Sequence, residues 1–320
     1  MATACSGDRT ALARLLSIVE QGGELAREAG RVAWPLGGRA YTVGITGAPG
    51  AGKSTLTDAL IGVIRASGAE VAVLAIDPSS PFTGGAVLGD RVRMSRHFLD
   101  PGVFIRSMAT RGHLGGLSGA APLAVRTLDA AGFPWILLET VGVGQVEVEI
   151  AGEADTTVVV VNPGWGDALQ ASKAGLMEIA DIFVVNKADR DGAERLQLEL
   201  LQMLHLRPPQ PWNVPVLLTS ATTGRGLDEL MDALAQHRTA VAVDPTRPTR
   251  ERDRRAAELA DLISEELRRR LDIALADRQN GLAALTAAVE AGTLDPYTAT
   301  LELLTDDRIV RHLHRAGGTT

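Results

Sequence analysis

Cysteine is almost missing from this chain: Cys5 is the only one among 320 residues. An intrachain disulfide is therefore impossible, and a cysteine-built metal centre is excluded. Aromatic residues make up only 3%, so the core must come from Leu, Val, Ile and Ala. The six histidines form no tract. His113, within Arg-Gly-His-Leu-Gly-Gly, has no second ligand at a useful spacing. No apolar run approaches the ~20 residues of a membrane span, and the start of the chain, with Asp8, Arg9 and Arg14, lacks a secretory layout. Positive charge is not in excess either. A net charge of −7 argues against a nucleic-acid partner gripped through its phosphates. Together these absences predict a cytoplasmic protein with neither membrane nor nucleic acid as partner.

Glycine, by contrast, is abundant and well placed. Gly47-Ala48-Pro49-Gly50-Ala51-Gly52-Lys53-Ser54-Thr55 fits Gly-x-x-x-x-Gly-Lys-Ser/Thr, preceded by an apolar strand from Tyr41 and followed by a helix from Leu56 to Arg65. Backbone N–H groups of such a loop, and of the helix it opens, surround phosphates. Lys53 supplies a point charge to the β- and γ-phosphates, and the Ser54 hydroxyl a ligand for Mg²⁺. Downstream, Asn186-Lys187-Ala188-Asp189 follows the apolar run Ile182–Val185. The Asp189 carboxylate can accept from N1–H and the N2 amino group of guanine. Adenine offers neither donor, and an unpaired buried acceptor costs ~1–3 kcal/mol, so the reading favours GTP over ATP. Ser220-Ala221 closes another strand, where a backbone contact to the guanine oxygen is expected.

Between residues 41 and 243 Val/Ile/Leu runs alternate with helical segments. Strands are expected at 41–46, 71–76, 103–106, 135–139, 156–161, 181–186 and 215–219. Continuous rather than alternating apolarity indicates a parallel sheet covered on both faces. The fold class is thus α/β, a doubly wound, mainly parallel sheet. Residues 1–40 read as a helical extension, with one helical region over 10–30. Residues 244–320 read as a helical arm: a turn-rich linker over 244–249, a charged amphipathic helix over 250–276, then short helices near 281–292 and 296–304. The arm is too small for a robust core of its own and suits docking or dimerisation.

Two further segments look like nucleotide-sensing loops. Trp135-Ile-Leu-Leu138 runs into Glu139-Thr-Val-Gly142-Val-Gly-Gln145, where Glu139 closes a metal site and the Gly142 N–H reaches a γ-phosphate. Val71–Ile76 runs into Asp77-Pro-Ser-Ser80-Pro, then on to Gly89-Asp90-Arg91, with two carboxylates and several glycines.

Taken in order, these segments, with Gly84-Gly85 and Thr110-Arg111-Gly-His-Leu-Gly-Gly, resemble the GTPases that accompany cobalamin-dependent acyl-CoA mutases. The group includes the bacterial methylmalonyl-CoA mutase-associated GTPases, their human relative in cobalamin type A disease, and proteins once labelled arginine/ornithine transport kinases. The resemblance spans roughly residues 10–310. It implies a homodimeric G-protein chaperone that binds GTP or GDP with Mg²⁺ and gates loading of adenosylcobalamin into its mutase. It places Lys53 and Ser54 at phosphate and Mg²⁺, with Asp77, Asp90 and Glu139 in or near the metal shell. The catalytic set is read as Lys53, Asp90, Glu139 and Gln145, where Gln145, following the Glu-Thr-Val-Gly turn, is the candidate to position water. It also implies a third, partner-responsive switch over 162–173. Trp165 and Ala171-Ser172 depart from the usual pattern there and leave the choice of mutase open. A nickel-type metallochaperone GTPase would be expected to carry Cys or a His tract. A small-molecule kinase would need ATP, against the guanine-reading Asp189.

Overall fold

The computed structural model describes residues 1–78, 94–110, 120–140, 152–164, 175–208, 210–276 and 281–305. The chain divides into two compact units, Met1–Arg247 and Pro248–Thr320.

The first unit opens with α1 (Ala2–Cys5), α2 (Arg9–Gln21) and α3 (Gly23–Ala33). Asp8 caps α2 by accepting from the N–H groups of Thr10 and Ala11, both at 2.9 Å. The single helical region expected over 10–30 is broken in two at Gly22 and Gly23, whose positive φ angles of 74° and 82° turn the chain. Then follow β1 (Tyr41–Gly47), α4 (Lys53–Ala66), β2 (Val71–Pro78), β3 (Val103–Thr110), α5 (Ala120–Ala130), β4 (Trp135–Thr140) and β5 (Thr156–Val161). The unit closes with β6 (Ile182–Val185), α6 (Ala193–His205), β7 (Val216–Leu218) and α7 (Leu227–Val243). Helix α4 begins at Lys53, earlier than the apolar pattern from Leu56 suggests. β3 runs four residues past the expected stretch because Ser107 to Thr110 go on pairing with Ala75 to Pro78 of β2; within it, the Arg106 guanidinium is met by Glu20 at 2.8 Å and Ser17 at 3.1 Å from α2.

The strands form one parallel sheet in the order β3-β2-β4-β1-β5-β6-β7. Residues alternate faces along each strand. Val43, Ile45, Val73, Leu137, Val158 and Val184 pack against Leu56, Leu60 and Ile64 of α4 and Leu230 and Leu234 of α7. The opposite face holds two clusters. One joins Leu74, Ile136 and Leu138 to Leu12 and Leu16 of α2 and Leu128 of α5. The other joins Val159, Phe183 and Val185 to Leu196 and Leu200 of α6. Covering both faces explains the unbroken Val/Ile/Leu runs.

At the strand entries, carboxylates staple neighbours together. Asp155 accepts from the Thr42 N–H at 2.9 Å and its own N–H returns to the Thr42 carbonyl at 2.9 Å. Asp181 repeats this on Thr157, at 2.8 and 3.0 Å. Beside them lies a buried polar network. The Tyr41 hydroxyl donates to the Leu234 carbonyl at 2.9 Å and meets the Thr156 hydroxyl, which lies 2.7 Å from Nδ1 of the buried His237. His237 Nε2 is 3.3 Å from Asp181, and the Trp212 ring packs edge-on against the imidazole. Burial, foremost, pushes the Tyr41 hydroxyl well above the usual phenol range.

The second unit comprises α8 (Arg247–Ala276), α9 (Gly281–Glu290) and α10 (Pro296–Thr305). The expected linker is shorter than its composition suggests, because α8 already begins at Arg247 and Pro248 falls in its first turn, where no N–H is needed. Ala274, Leu282, Leu271, Leu285 and Leu303 form a small core. Leu259, Leu262, Ile263 and Leu267 of α8 are exposed. Among the described residues no helix is long and apolar enough to cross a membrane.

Because Tyr41→Phe deletes the hydroxyl that joins Leu234 to Thr156, unfolding in urea should cost ~1–3 kcal/mol less. Nucleotide affinity should stay unchanged, since the network lies at the strand entries.

Candidate functional site

In an open parallel α/β sheet ligands bind beyond the carboxyl ends of the strands. The exits of β1, β4 and β6 meet there, and β1 leads directly into the glycine loop. Gly47 has φ 129° and Gly52 φ 95°, conformations costly for other residues. Space forbids side chains as well. A Cβ at Gly47 would overlap the Val160 carbonyl oxygen, and one at Gly52 the Asn186 side-chain nitrogen. Ala48 and Ala51 are buried in the core beneath the loop, while Pro49, Gly50 and Thr55 face or approach solvent. The sequence thus makes a tight loop whose N–H groups open α4.

Lys53 is only 7% exposed, and its ammonium donates to the carbonyls of Gly47 at 2.8 Å and Ala48 at 3.0 Å. The ammonium is therefore tucked inside the loop that would wrap a phosphate chain. Ser54 donates its hydroxyl to Oε1 of Glu139 at 2.5 Å. Glu139 is 0% exposed, where the apolar run of β4 gives way to Glu139-Thr140. A carboxylate so buried is expensive unless it serves a charge or donor. The hydroxyl and carboxylate together supply hard oxygen donors of the kind Mg²⁺ prefers, so the residues fit that ion. On the opposite face of the sheet, Thr140 donates to the Thr46 hydroxyl at 3.2 Å.

The Asn186–Asp189 segment is tied to the loop from the side. The Asn186 amide nitrogen donates to the Ala51 carbonyl at 2.9 Å, while its oxygen accepts from the Ala221 N–H at 3.2 Å and the Thr219 hydroxyl at 3.3 Å. Lys187 has φ 59°, a left-handed conformation costing roughly 1–2 kcal/mol in a residue with a Cβ. Strain of this kind concentrates at functional sites. Its ammonium reaches the Gly50 carbonyl at 2.6 Å. Asp189 is exposed, and a hydrogen bond from the Ser220 hydroxyl, its largest influence, holds its carboxyl below the usual carboxylate range. It therefore stays ionised, an acceptor for two donors of a base.

The structure thus brings together Gly47–Thr55, Glu139, Asn186, Lys187, Asp189, Ser220 and Ala221. Asp77 lies in β2 in line with the strand exits. Asp90, Gly142, Gln145, His113 and the segment 165–174 lie outside the described residues. Thr219, adjacent to the Ser-Ala pair, went unnoticed in the sequence. Its carbonyl accepts from the Ala188 N–H at 2.8 Å and its hydroxyl orients Asn186.

An Asp189→Asn substitution leaves one acceptor and adds one donor, mismatching guanine N1–H/N2–H₂ and matching xanthine N1–H/C2=O. Competition binding should show roughly a hundredfold weaker GTP and a gain in XTP. Equal loss of both nucleotides would remove Asp189 from base reading.

Residues 12–276 match the family described as methylmalonyl-CoA mutase-associated GTPase, MeaB. A protein of Pyrococcus abyssi described as a GTPase is 49% identical over 297 residues, covering 92% of this chain and 91% of its own length. A mouse protein named methylmalonic aciduria type A homolog, mitochondrial, is 38% identical over 201 residues, 61% of this chain and 48% of its own length. The crystal structure of an LAO/AO transport system kinase superposes with a TM-score of 0.68 at 27% identity, covering 94% of this chain and 93% of that one. A family match over residues 12–276 and a relative at 49% identity across most of both chains place this chain in the methylmalonyl-CoA mutase-associated GTPase family.

Proposed function

We propose that this GTPase is the nucleotide-gated chaperone of an adenosylcobalamin-dependent acyl-CoA mutase, gating cofactor loading and protecting or reactivating the mutase. The observation that carries the reading is the family match over residues 12–276. The mouse relative's name supports it.

The reaction is attack of water on the γ-phosphorus of GTP with departure of GDP, giving inorganic phosphate. The loop N–H groups of 48 and 50–54 hold the phosphates, and Lys53 exchanges its two loop carbonyls for phosphate oxygens. Ser54 and Glu139, with Asp77 at the end of β2 and Asp90 further along the chain, would hold Mg²⁺. The ion, when bound, neutralises charge developing on the β–γ bridge. Gly142 donates to the γ-phosphate and Gln145 positions the water. Asp189 selects guanine, with Asn186, Lys187, Ser220 and Ala221 shaping its seat.

Dimerisation belongs to the helical arm, 244–320, in this reading, beside a nucleotide domain over 41–243 and the N-terminal extension, 1–40. The exposed Leu259, Leu262, Ile263 and Leu267 recur at three- and four-residue spacing on α8, as in a helix seam. The segment 162–173 is the part that answers the mutase.

GTP and ATP turnover, each with and without a purified cobalamin-dependent acyl-CoA mutase from the same organism, tests this directly. GTP-selective hydrolysis that accelerates with the mutase is expected. Selective hydrolysis indifferent to every such mutase would overturn the chaperone role and leave the GTPase. In light scattering, Leu262→Glu with Leu267→Glu should halve the mass of the wild-type particle without altering GTP selectivity.

A further inference from the structure

Glu139 and the glycine loop meet where two strands part. Backbone pairing of β1 with β4 runs from Tyr41 opposite Trp135 to Ile45 opposite Glu139, and stops there. Beyond that point each strand keeps only its other neighbour. Thr46 and Gly47 pair with Val159 and Val160 of β5, and Thr140 pairs with Ile76 of β2. A split therefore opens in the sheet just where Glu139 meets Ser54, as the ligand crevices of parallel sheets do. Side chains bridge it on both faces. On the α4 face Ser54 donates to Glu139 at 2.5 Å, and on the opposite face Thr140 donates to Thr46 at 3.2 Å.

The threonine bridge lies on the face away from Ser54 and Glu139, so its presence needs a reason of its own. Thr46 and Thr140 are both 0% exposed. Burying a hydroxyl is costly where a methyl would do, and valine has the same branched shape. The preceding positions on this face of β4, Ile136 and Leu138, are indeed apolar. Among the described residues neither threonine side chain makes another hydrogen bond, so the two hydroxyls are committed to each other. Thr46 immediately precedes Gly47, where the phosphate loop begins, and Thr140 immediately follows Glu139. The bond thus ties the stretch that carries the carboxylate to the stretch that opens the loop. Asn186 and Lys187 brace the loop elsewhere, at Ala51 and Gly50.

We propose that Thr46 and Thr140 are positioning residues for the metal end of this site, their hydroxyl bridge holding Glu139 in place against the phosphate loop where backbone pairing no longer does. This rests on the placement of Mg²⁺ given under Proposed function. Neither threonine touches nucleotide or metal; each acts through the residue beside it.

The test compares wild type with Thr140→Val, Thr46→Val, the two together, and Thr140→Ser in the full chain. Fluorescent GDP binding is read in EDTA and across a Mg²⁺ titration, beside thermal melting. In EDTA, GDP affinity should be unchanged, because the loop keeps its braces from Asn186 and Lys187. In each valine variant the Mg²⁺ concentration for half-maximal gain in affinity should rise roughly fivefold, the worth of one neutral hydrogen bond. Thr140→Ser keeps the donor and should stay near wild type. The double variant separates positioning from packing, and it carries the test if a single variant folds poorly. Two facing valines leave no polar group unpaired, so melting should return toward wild type while the Mg²⁺ requirement stays raised. A Mg²⁺ requirement that recovers together with melting in the double variant, or that never changes, would make the bridge structural and overturn the proposal. An equal loss of GDP affinity with and without Mg²⁺ would overturn it too. If wild type itself gains no affinity from Mg²⁺, the metal placement fails and this proposal with it.

Discussion

The hydrogen bonds of one side chain, Asn186, hold the nucleotide site in shape. A glycine loop has little reason to keep one conformation by itself, since its residues have the most conformational freedom to lose. Asn186 supplies the constraint from outside, donating to Ala51 and accepting from Ala221 and Thr219. Lys187 adds a second strut to Gly50 from a strained backbone. The loop that would hold phosphates and the segment that would read the base are thereby one body. The absence of room at Gly52 is the other face of the same contact, because the Asn186 nitrogen occupies the space a Cβ would need.

Much of this could be read from the residues. The seven strands fall where the Val/Ile/Leu runs lie, because a parallel sheet covered on both faces asks for unbroken apolar stretches. The glycine loop, Glu139 and the Asn-Lys-Ala-Asp string were legible because each combines a residue type with a strand exit. What escaped depends on partners distant in sequence. β3 extends to Thr110 because β2 goes on pairing with it there, which the polar and small residues after Arg106 do not announce. Tyr41, Thr156, Asp181 and His237 look unrelated until four elements converge. Asn186 reads as a base-site residue in the sequence, while its side chain here is committed to bracing the loop. Gly22-Gly23 was visible, yet helical periodicity on both sides hid the break.

Charge is handled differently at the two ends of the sheet. At the strand entries, Asp155 and Asp181 are engaged with backbone N–H groups, in arrangements that are complete without any ligand. At the exits, Lys53 is held by two loop carbonyls and Ser54 by Glu139, the side chains proposed for phosphate and metal. Binding there, as proposed, would be an exchange of partners rather than the capture of bare charge. An ammonium already held by loop carbonyls need not be stripped of bulk water before it meets phosphate, so desolvation and side-chain ordering are partly complete beforehand.

The paired carboxylate staples at Thr42 and Thr157 have a consequence for how such a protein can diversify. They pin the register of β5 against β1 and of β6 against β5 at the foot of the sheet. Substitutions in the upper loops therefore leave strand alignment intact. Lineages can retune what the rim responds to, residue by residue, while inheriting the same foundation.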